Sequence, residues 1–439
     1  MRAMMRWMLA VTVVASTLAA RDARAEEYYV SAASGKGKVG SKAEPVKDMG
    51  FLVGKLKAGD TINMAGGVYL SKSETGHDTF DFPVKIIGGW DETFTKRDPW
   101  GATKTILSGD NKSKNLNTQA RLEITLQAGL HAKRKDSREG DIVLDGLIVD
   151  NAARNRYAGD GAKIVRMADP KKGEGPTPES AGILVKAGKN GNATIENCVV
   201  MNCGPTTGAL SVWGYDGSKI TIRNNLIINN TGAGIEANSW WHPKDDRGLP
   251  EFTIESNTVV FSWKHDPFAT YGGYGLDMDH DIQAVVKGNV FAFCDIAGVH
   301  NPKLALKLTL AENLLRGNLQ ADYVEFSRKI DVAKLDEAEK LSDASKGNVG
   351  DELVVPMEKA WSERFAARQV IDRNAAEADV KAVGGKANQW RRMLGLPQEG
   401  GAVKADSDVW LHRLAVEDAL KAGATRYGGK FGCSTPAAK

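Results

Sequence analysis

A short phrase recurs down the middle of this chain, and it constrains the possible architecture more than any other feature. It reads LDGLIV at 144–149, IENCVV at 195–200, IRNNLI at 222–227, IESNTVV at 254–260, VKGNVFA at 286–292 and LAENLL at 310–315. The leading apolar residues are Leu144, Ile195, Ile222, Ile254, Val286 and Leu310, separated by 51, 27, 32, 32 and 24 residues. Three positions after each anchor stand Leu147, Cys198, Asn225, Asn257, Asn289 and Asn313. Repeats of this length form solenoids, because one unit cannot bury its apolar face alone and must stack on its neighbours. Stacked coils lie about 4.8 Å apart, so equivalent Asn side chains can hydrogen-bond along the axis. The 51-residue step holds two coils, or one coil carrying the polar loop 152–180.

Composition agrees with an all-β solenoid. The chain has 439 residues, 42% of them hydrophobic, and its 47 Gly against 7% aromatics suit many tight corners. A leucine-rich repeat would show an LxxLxL signature, which is missing. A propeller would need about four strands in each 40–50 residues, more than this repeat offers. The fold expected is a right-handed parallel β-helix.

The N-terminus reads as an export signal. Arg2 and Arg6 precede an apolar run from Trp7 to Ala20, and Ala23-Arg24-Ala25 offers a small-x-small cleavage site before Glu26. The run is short for a transmembrane span; an uncleaved anchor is the alternative. Residues 1–25 carry four Arg and one Asp, so the 58 basic and 55 acidic residues of the chain become 54 of each after cleavage. A neutral chain with no basic stripe is not built for nucleic acid. No second hydrophobic span follows, so the expectation is a soluble secreted or periplasmic protein. Its cysteines, Cys198, Cys203, Cys294 and Cys433, lack metal-type spacing. Cys203 and Cys294 share an offset but sit three coils apart, about 14 Å, too far for a bridge. They read as buried free thiols.

Residues 26–70 look like a solenoid entrance. Tyr28-Tyr29-Val30 is a strand, Pro45 to Leu56 reads as a capping helix, and Ala58-Gly59-Asp60 turns into TINMAGGVYL. The stretch YYVSAASGKGK…AEPVKDM…AGDTINMAGGVY, followed by VKIIGGWDETFTKRDPWGATKTILSGD, resembles the opening coils of the pectate-lyase-like right-handed β-helix superfamily. That resemblance, with the repeats, covers roughly residues 26–320 and implies a helix capping the first coil. Beyond Asn318 the segments 328–346, 357–382 and 406–422 have helical spacing. The division expected is a signal at 1–25, the β-helix at 26–320 and a helical C-terminal extension at 321–439. The ending ALKAGATRYGG resembles the segment that superfamily members lay back on the last coil, and this region is also where a protein partner would dock.

A second repeat runs out of phase with the first: AGILVK at 181–186, GALSVW at 208–213, GAGIEAN at 232–238, GYGLDMDHD at 273–281 and AGVHN at 297–301. Alternation turns Ile235, Ala237, Leu276 and Met278 inward and therefore Glu236, Asn238, Asp277 and Asp279 outward. Stacking gives the column Leu184–Ser211–Glu236–Asp277–His300, with Lys186–Trp213–Asn238–Asp279 two residues along. Polar and aromatic insertions flank it at 238–248 and 263–273. They carry Trp240, Trp241, His242, Lys264, His265 and Tyr271, with Tyr274 just beyond. Loops beside a sheet make a groove, and aromatic faces with charged groups suit sugar rings.

Two chemistries fit such a column. Carboxylates on adjacent coils lie about 5 Å apart and those two residues along a strand about 6.5–7 Å, near the spacings of retaining and inverting glycosidases. Glu236 and Asp277 would then be the acid/base or nucleophile pair, with Asp279 and His300 supporting. In a lyase, Ca²⁺ or Lys/Arg would neutralise a uronate while Lys264, His265, His300 or a Tyr removes the C5 proton. Asp277, Asp279 and Asp281 supply the hard oxygens that Ca²⁺ would need. The paired-Asp and Gly-His-Gly motifs of polygalacturonases are absent, Gly76-His77-Asp78 being a partial echo. The calcium and arginine constellation of pectate lyases has no clear match, whereas GYGLDMDHD resembles a GxGIxLDD-type coil of carbohydrate-active β-helices. The expected function is an exported polysaccharide-acting enzyme, hydrolase or lyase, with a polysaccharide or other glycan as partner. The alternative is a non-catalytic β-helix for carbohydrate binding or envelope scaffolding.

Overall fold

The computed structural model describes residues 25–73, 76–109, 120–126, 139–151, 157–158, 163–164, 181–204, 207–239, 248–263, 272–279, 281–302, 307–359, 361–362, 392, 394, 413–424 and 426–439. The expected signal residues 1–24 therefore lie outside the described residues.

Three long sheets run the length of the solenoid. The first has nine parallel strands, from Glu27–Val30 through Ile142–Asp145, Asn192–Glu196, Lys219–Arg223, Glu251–Glu255 and Gln283–Lys287 to Lys307–Ala311. The second has eight, including Leu147–Asp150, Val199–Met201, Leu226–Thr231, Thr258–Trp263, Val290–Ala292 and Leu314–Arg316. The third has nine, including Leu122–Thr125, Ile183–Lys186, Gly208–Gly214, Ala233–Ser239, Tyr274–Met278, Ala297–Asn301 and Ala321–Glu325. Each strand pairs with its equivalents one coil before and after, so the anchors Leu144, Ile195, Ile222, Ile254, Val286 and Leu310 stack in one buried column. Full burial of such a branched side chain is worth about 1.5–3 kcal/mol, and the interior is a continuous file of them.

The corner between the first two sheets is held by an asparagine ladder. Asn225, Asn257 and Asn289 each accept from the backbone N–H of the preceding rung and pass a side-chain bond to the next, at 2.9–3.0 Å. Their amides also donate to the carbonyls of Ile195, Ile222 and Ile254, which satisfies polar groups where the chain leaves a sheet. The residue before each rung takes a left-handed conformation: Gly146, Asn197, Asn224, Ser256, Gly288 and Glu312. Asn348 adds a further rung after Asn313.

The second sheet is buried on both faces. Val149, Val200, Ile227, Val259 and Phe291 point into the solenoid. Ile148, Val199, Met201, Leu226, Ile228, Val260 and Val290 point out, into a second apolar layer supplied by Leu353, Val355, Trp361, Leu414, Leu420, Phe431 and Cys433. The helix Val416–Gly423 buries Ala419, Leu420 and Ala422 in that layer and carries Glu417 and Asp418 in its first turn, matching the helix dipole.

Three expectations need correction. The capping helix at 45–56 is a single 3₁₀ turn, Met49–Phe51, capped by Asp48 accepting from the Gly50 amide; Gly50 and Gly54 weaken a longer helix. The third sheet runs past residue 320: Ala321–Glu325 continues it and Arg328–Ile330 folds back antiparallel, burying Tyr323 and Ile330. Only the 3₁₀ helix Val332–Glu337 follows within the segment expected to be helical, 328–346. Most of 357–382 lies outside the described residues. All four cysteines are free and buried, and among the described residues no helix is long and apolar enough to cross a membrane.

Candidate functional site

The outer face of the third sheet carries the chemistry. Register pairs Leu184 with Ser211, Ser211 with Glu236, Glu236 with Asp277 and Asp277 with His300, so these residues form one column across five coils. Ile235, Ala237, Leu276 and Met278 line the interior, which fixes the alternate residues outside. The glycines behind the column admit the close approach of coils: a Cβ on Gly234 would lie 2.4 Å from Val259 Cγ1. Ala209, not Gly208, stands in that glycine column, because Gly208 pairs with Ala233.

One end of the column is closed. Glu236, Asn238 and Ser211 are only 7%, 3% and 2% exposed although they face outward. The Trp213 indole N–H donates to Ser211 Oγ at 2.9 Å, and that hydroxyl donates to Glu236 Oε2 at 2.5 Å. The other oxygen of Glu236 accepts from Asn238 Nδ2 at 3.3 Å. Trp213 is itself buried, with Lys186 Nζ 5.4 Å from the centre of its ring. Trp213, whose aromatic ring on the outer column reads from sequence as a substrate-binding residue, therefore covers the sheet and offers little face to a sugar.

The other end is open. His300 Nδ1 lies 2.8 Å from Asp277 Oδ1, and the two side chains keep 14% and 28% of their exposure. A carboxylate only accepts, so Nδ1 carries the proton, and in the neutral imidazole Nε2 presents its lone pair. The ring of Tyr274 stacks on His300, centroids 4.0 Å apart and planes 8° from parallel. Tyr274 is buried, so it too is a wall of the site and not the sugar platform expected. Burial first, and the Asp277 charge second, push its phenol above the usual tyrosine range. At neutral pH it is a neutral phenol.

Asp279 is half-buried on the neighbouring column, its backbone N–H bonded to the Ala237 carbonyl. Among the described residues no group of three or more acids, histidines or cysteines is placed to hold a metal ion. Asp277, Asp279 and Asp281 do not converge on a Ca²⁺ site, Asp277 being engaged by His300. Trp240, Trp241, His242, Lys264, His265 and Tyr271 lie outside the described residues. Sequence reasoning found the column but not the Trp213–Ser211–Glu236 chain; Ser and Trp at alternate positions of GALSVW were the available signal.

The family described as right handed beta helix region matches residues 172–259, the coils that carry Ser211 and Glu236. Together with three parallel sheets in a stacked register, this decides the fold. The chain is a right-handed parallel β-helix. Comparison with curated proteins finds no match. A solved structure described as the complex structure of XylC with xylose aligns with 68% of this β-helix protein and 69% of that chain, at 13% identity and a TM-score of 0.23. Similarity at that level says nothing of what this β-helix binds.

Proposed function

We propose that this β-helix is exported and acts on a polysaccharide at the outer face of its third sheet, with His300 as the general base. The observation that carries the reading is the Asp277–His300 hydrogen bond at the open end of the column. Asp277 holds the tautomer that leaves Nε2 free to take a proton, and the stacked Tyr274 holds the ring plane. In a polymer of uronates, Nε2 would remove the C5 proton as the bond from C4 to the glycosidic oxygen breaks. The products are an unsaturated uronate and a new reducing end, the departing oxygen taking up a proton. With His300 as the base, Lys264 and His265, read from sequence as substrate-binding or as alternative bases, are assigned to the substrate, Lys264 to the uronate carboxylate, and Trp240, Trp241, His242 and Tyr271 to sugar contact.

Hydrolysis is the second reading. It is supported by Glu236 and Asp277 being direct partners on adjacent coils, about 4.8 Å apart along the axis. Against it, Glu236 is buried and already accepts from Ser211 and Asn238. A panel of acidic and neutral polysaccharides separates the readings. Ultraviolet absorbance of an unsaturated uronate, lost in His300→Gln, supports elimination. Reducing ends without that absorbance support hydrolysis. Silence in both assays across the panel moves the protein to a non-catalytic carbohydrate-binding or scaffolding role. Export is checked by the mass of the secreted chain, expected to begin at Glu26.

A further inference from the structure

The C-terminal residues do more than cover the second sheet. Arg97 and Lys439 exchange two backbone hydrogen bonds, Arg97 N–H to Lys439 O at 2.7 Å and Lys439 N–H to Arg97 O at 2.9 Å. Ser434 and Asn224 bond twice, the Ser434 amide to Asn224 Oδ1 at 2.9 Å and Asn224 Nδ2 to the Ser434 carbonyl at 3.1 Å. Between these fixed points Ser434, Thr435, Pro436, Ala437 and Lys439 line one wall of a cleft of about 410 Å³. That volume lies in the range of small-ligand sites.

Cationic and hydroxyl side chains line this cleft beside Pro99, Pro436 and Ala437. Arg97 is 6% exposed. Its Nε donates to the Gly88 carbonyl and its Nη1 to Asp145 Oδ2, both at 2.7 Å. Its Nη2 is buried with no acceptor. The other oxygen of Asp145 accepts from Asn197 Nδ2 at 2.8 Å. Nη2 packs against Gly146, where a Cβ would come within 2.5 Å of it. Arg426 also lines the cleft, is exposed, and makes no ion pair among the described residues. The hydroxyl-bearing Ser434 and Thr435 complete the wall, with Lys439 at its edge, and no carboxylate side chain lines it. Two guanidinium groups beside hydroxyls match the charge and the planar or tetrahedral oxygens of an oxyanion.

We infer that this cleft is a binding site for a small oxyanion, held by Arg426 and the hydroxyls of its wall over the buried charge of Arg97. A phosphate and the carboxylate of a sugar acid share that chemistry. The site is separate from the third-sheet column, so it can be tested apart from it. Calorimetric titration of the full mature chain with inorganic phosphate, and separately with galacturonate, at ionic strength held constant with chloride, is expected to give saturable binding. The stronger of the two arms names the source. Arg426→Ala should weaken that binding by about tenfold or more, the loss of one charged donor pair. Arg426→Lys should recover only part of it, since an ammonium cannot make a bidentate contact. Asp277→Asn should bind inorganic phosphate as the parent does, which separates failure here from failure of the catalytic reading. Arg426 is exposed, so its variants keep the fold, as circular dichroism will verify. No saturable binding in either arm, or equal binding by Arg426→Ala, would overturn the inference and leave the cleft as a seam between tail and solenoid.

Discussion

Asp277 and His300 stand opposite one another on neighbouring coils, joined by a 2.8 Å hydrogen bond between Oδ1 and Nδ1. In Asp277→Asn the amide can turn its NH₂ toward the ring, and the tautomer with a free Nε2 is no longer enforced. Turnover should fall by a factor on the order of 10² or more. The half-exposed isostere should leave the melting temperature close to that of the parent. Unchanged turnover with a lowered melting temperature would make the pair a structural link between coils.

Asn257 is the middle rung of the ladder. It accepts from the Asn225 amide at 3.0 Å and from Asn225 Nδ2 at 2.9 Å, and it donates to the Ile222 carbonyl at 2.8 Å. Asn257→Ala strands these buried groups without partners, at a cost of about 1–3 kcal/mol for each unsatisfied one. Chemical denaturation should show a loss of at least about 2 kcal/mol. Asn192→Ala, on the exposed start of its strand, should cost almost nothing by the same measurement.

Gly432 seats the tail on the second sheet. Its φ is +82°, and a Cβ there would meet Thr258 Oγ1 at 2.4 Å. Gly432→Ala therefore adds the left-handed penalty of about 1–2 kcal/mol to a clash. The neighbouring amide of Cys433, which donates to Thr258 Oγ1 at 3.0 Å, should detach with it. Limited proteolysis is expected to nick the variant after Gly428 well before the parent, while the far-UV spectrum keeps its strand signature.

The thiols report the same docking. Burial raises the Cys198 and Cys294 thiols to about 12 and that of Cys433 to about 11. A raised folded value means that the contribution to stability is whole below the ordinary thiol pKa, about 8.5, and is lost as pH climbs through the folded values. The melting temperature should hold up to about pH 8 and decline between about pH 9 and 11. A thiol reagent at pH 8 should find no reactive cysteine in the native chain and all four after denaturation.

Much of this architecture could be read from residue spacing. The shared offset of Asn225, Asn257, Asn289 and Asn313 from their anchors gave away a ladder, since a column is a property of register alone. Asn348 escaped because it lies in a polar loop with no apolar strand to mark its phase. The alternation in GAGIEAN and GYGLDMDHD assigned Glu236 and Asp277 to the outside. Whether an outward residue is wet depends on what lies over the sheet, which no local pattern encodes; Glu236 is dry and Asp277 is not. The two-faced burial of the second sheet did have a sign. Runs such as LIV at 147–149 and VVM at 199–201 are apolar at every position, as strands covered on both sides are.

Between Phe431 and Lys439 the chain turns across the coils and not along them. Gly432 bonds to Gly288, Cys433 to Thr258, Ser434 to Asn224 and Lys439 to Arg97, so the segment steps from a late coil back to an early one. A bare solenoid feels only its nearest neighbours, and either end can fray without the other responding. Here residues 432–439 tie early coils to late ones, so loosening at one end must lift a fastening held at the other. Synthesis order then becomes a timing device: the early coils can stack as they emerge, but they reach their final rigidity only when the tail arrives to lash them.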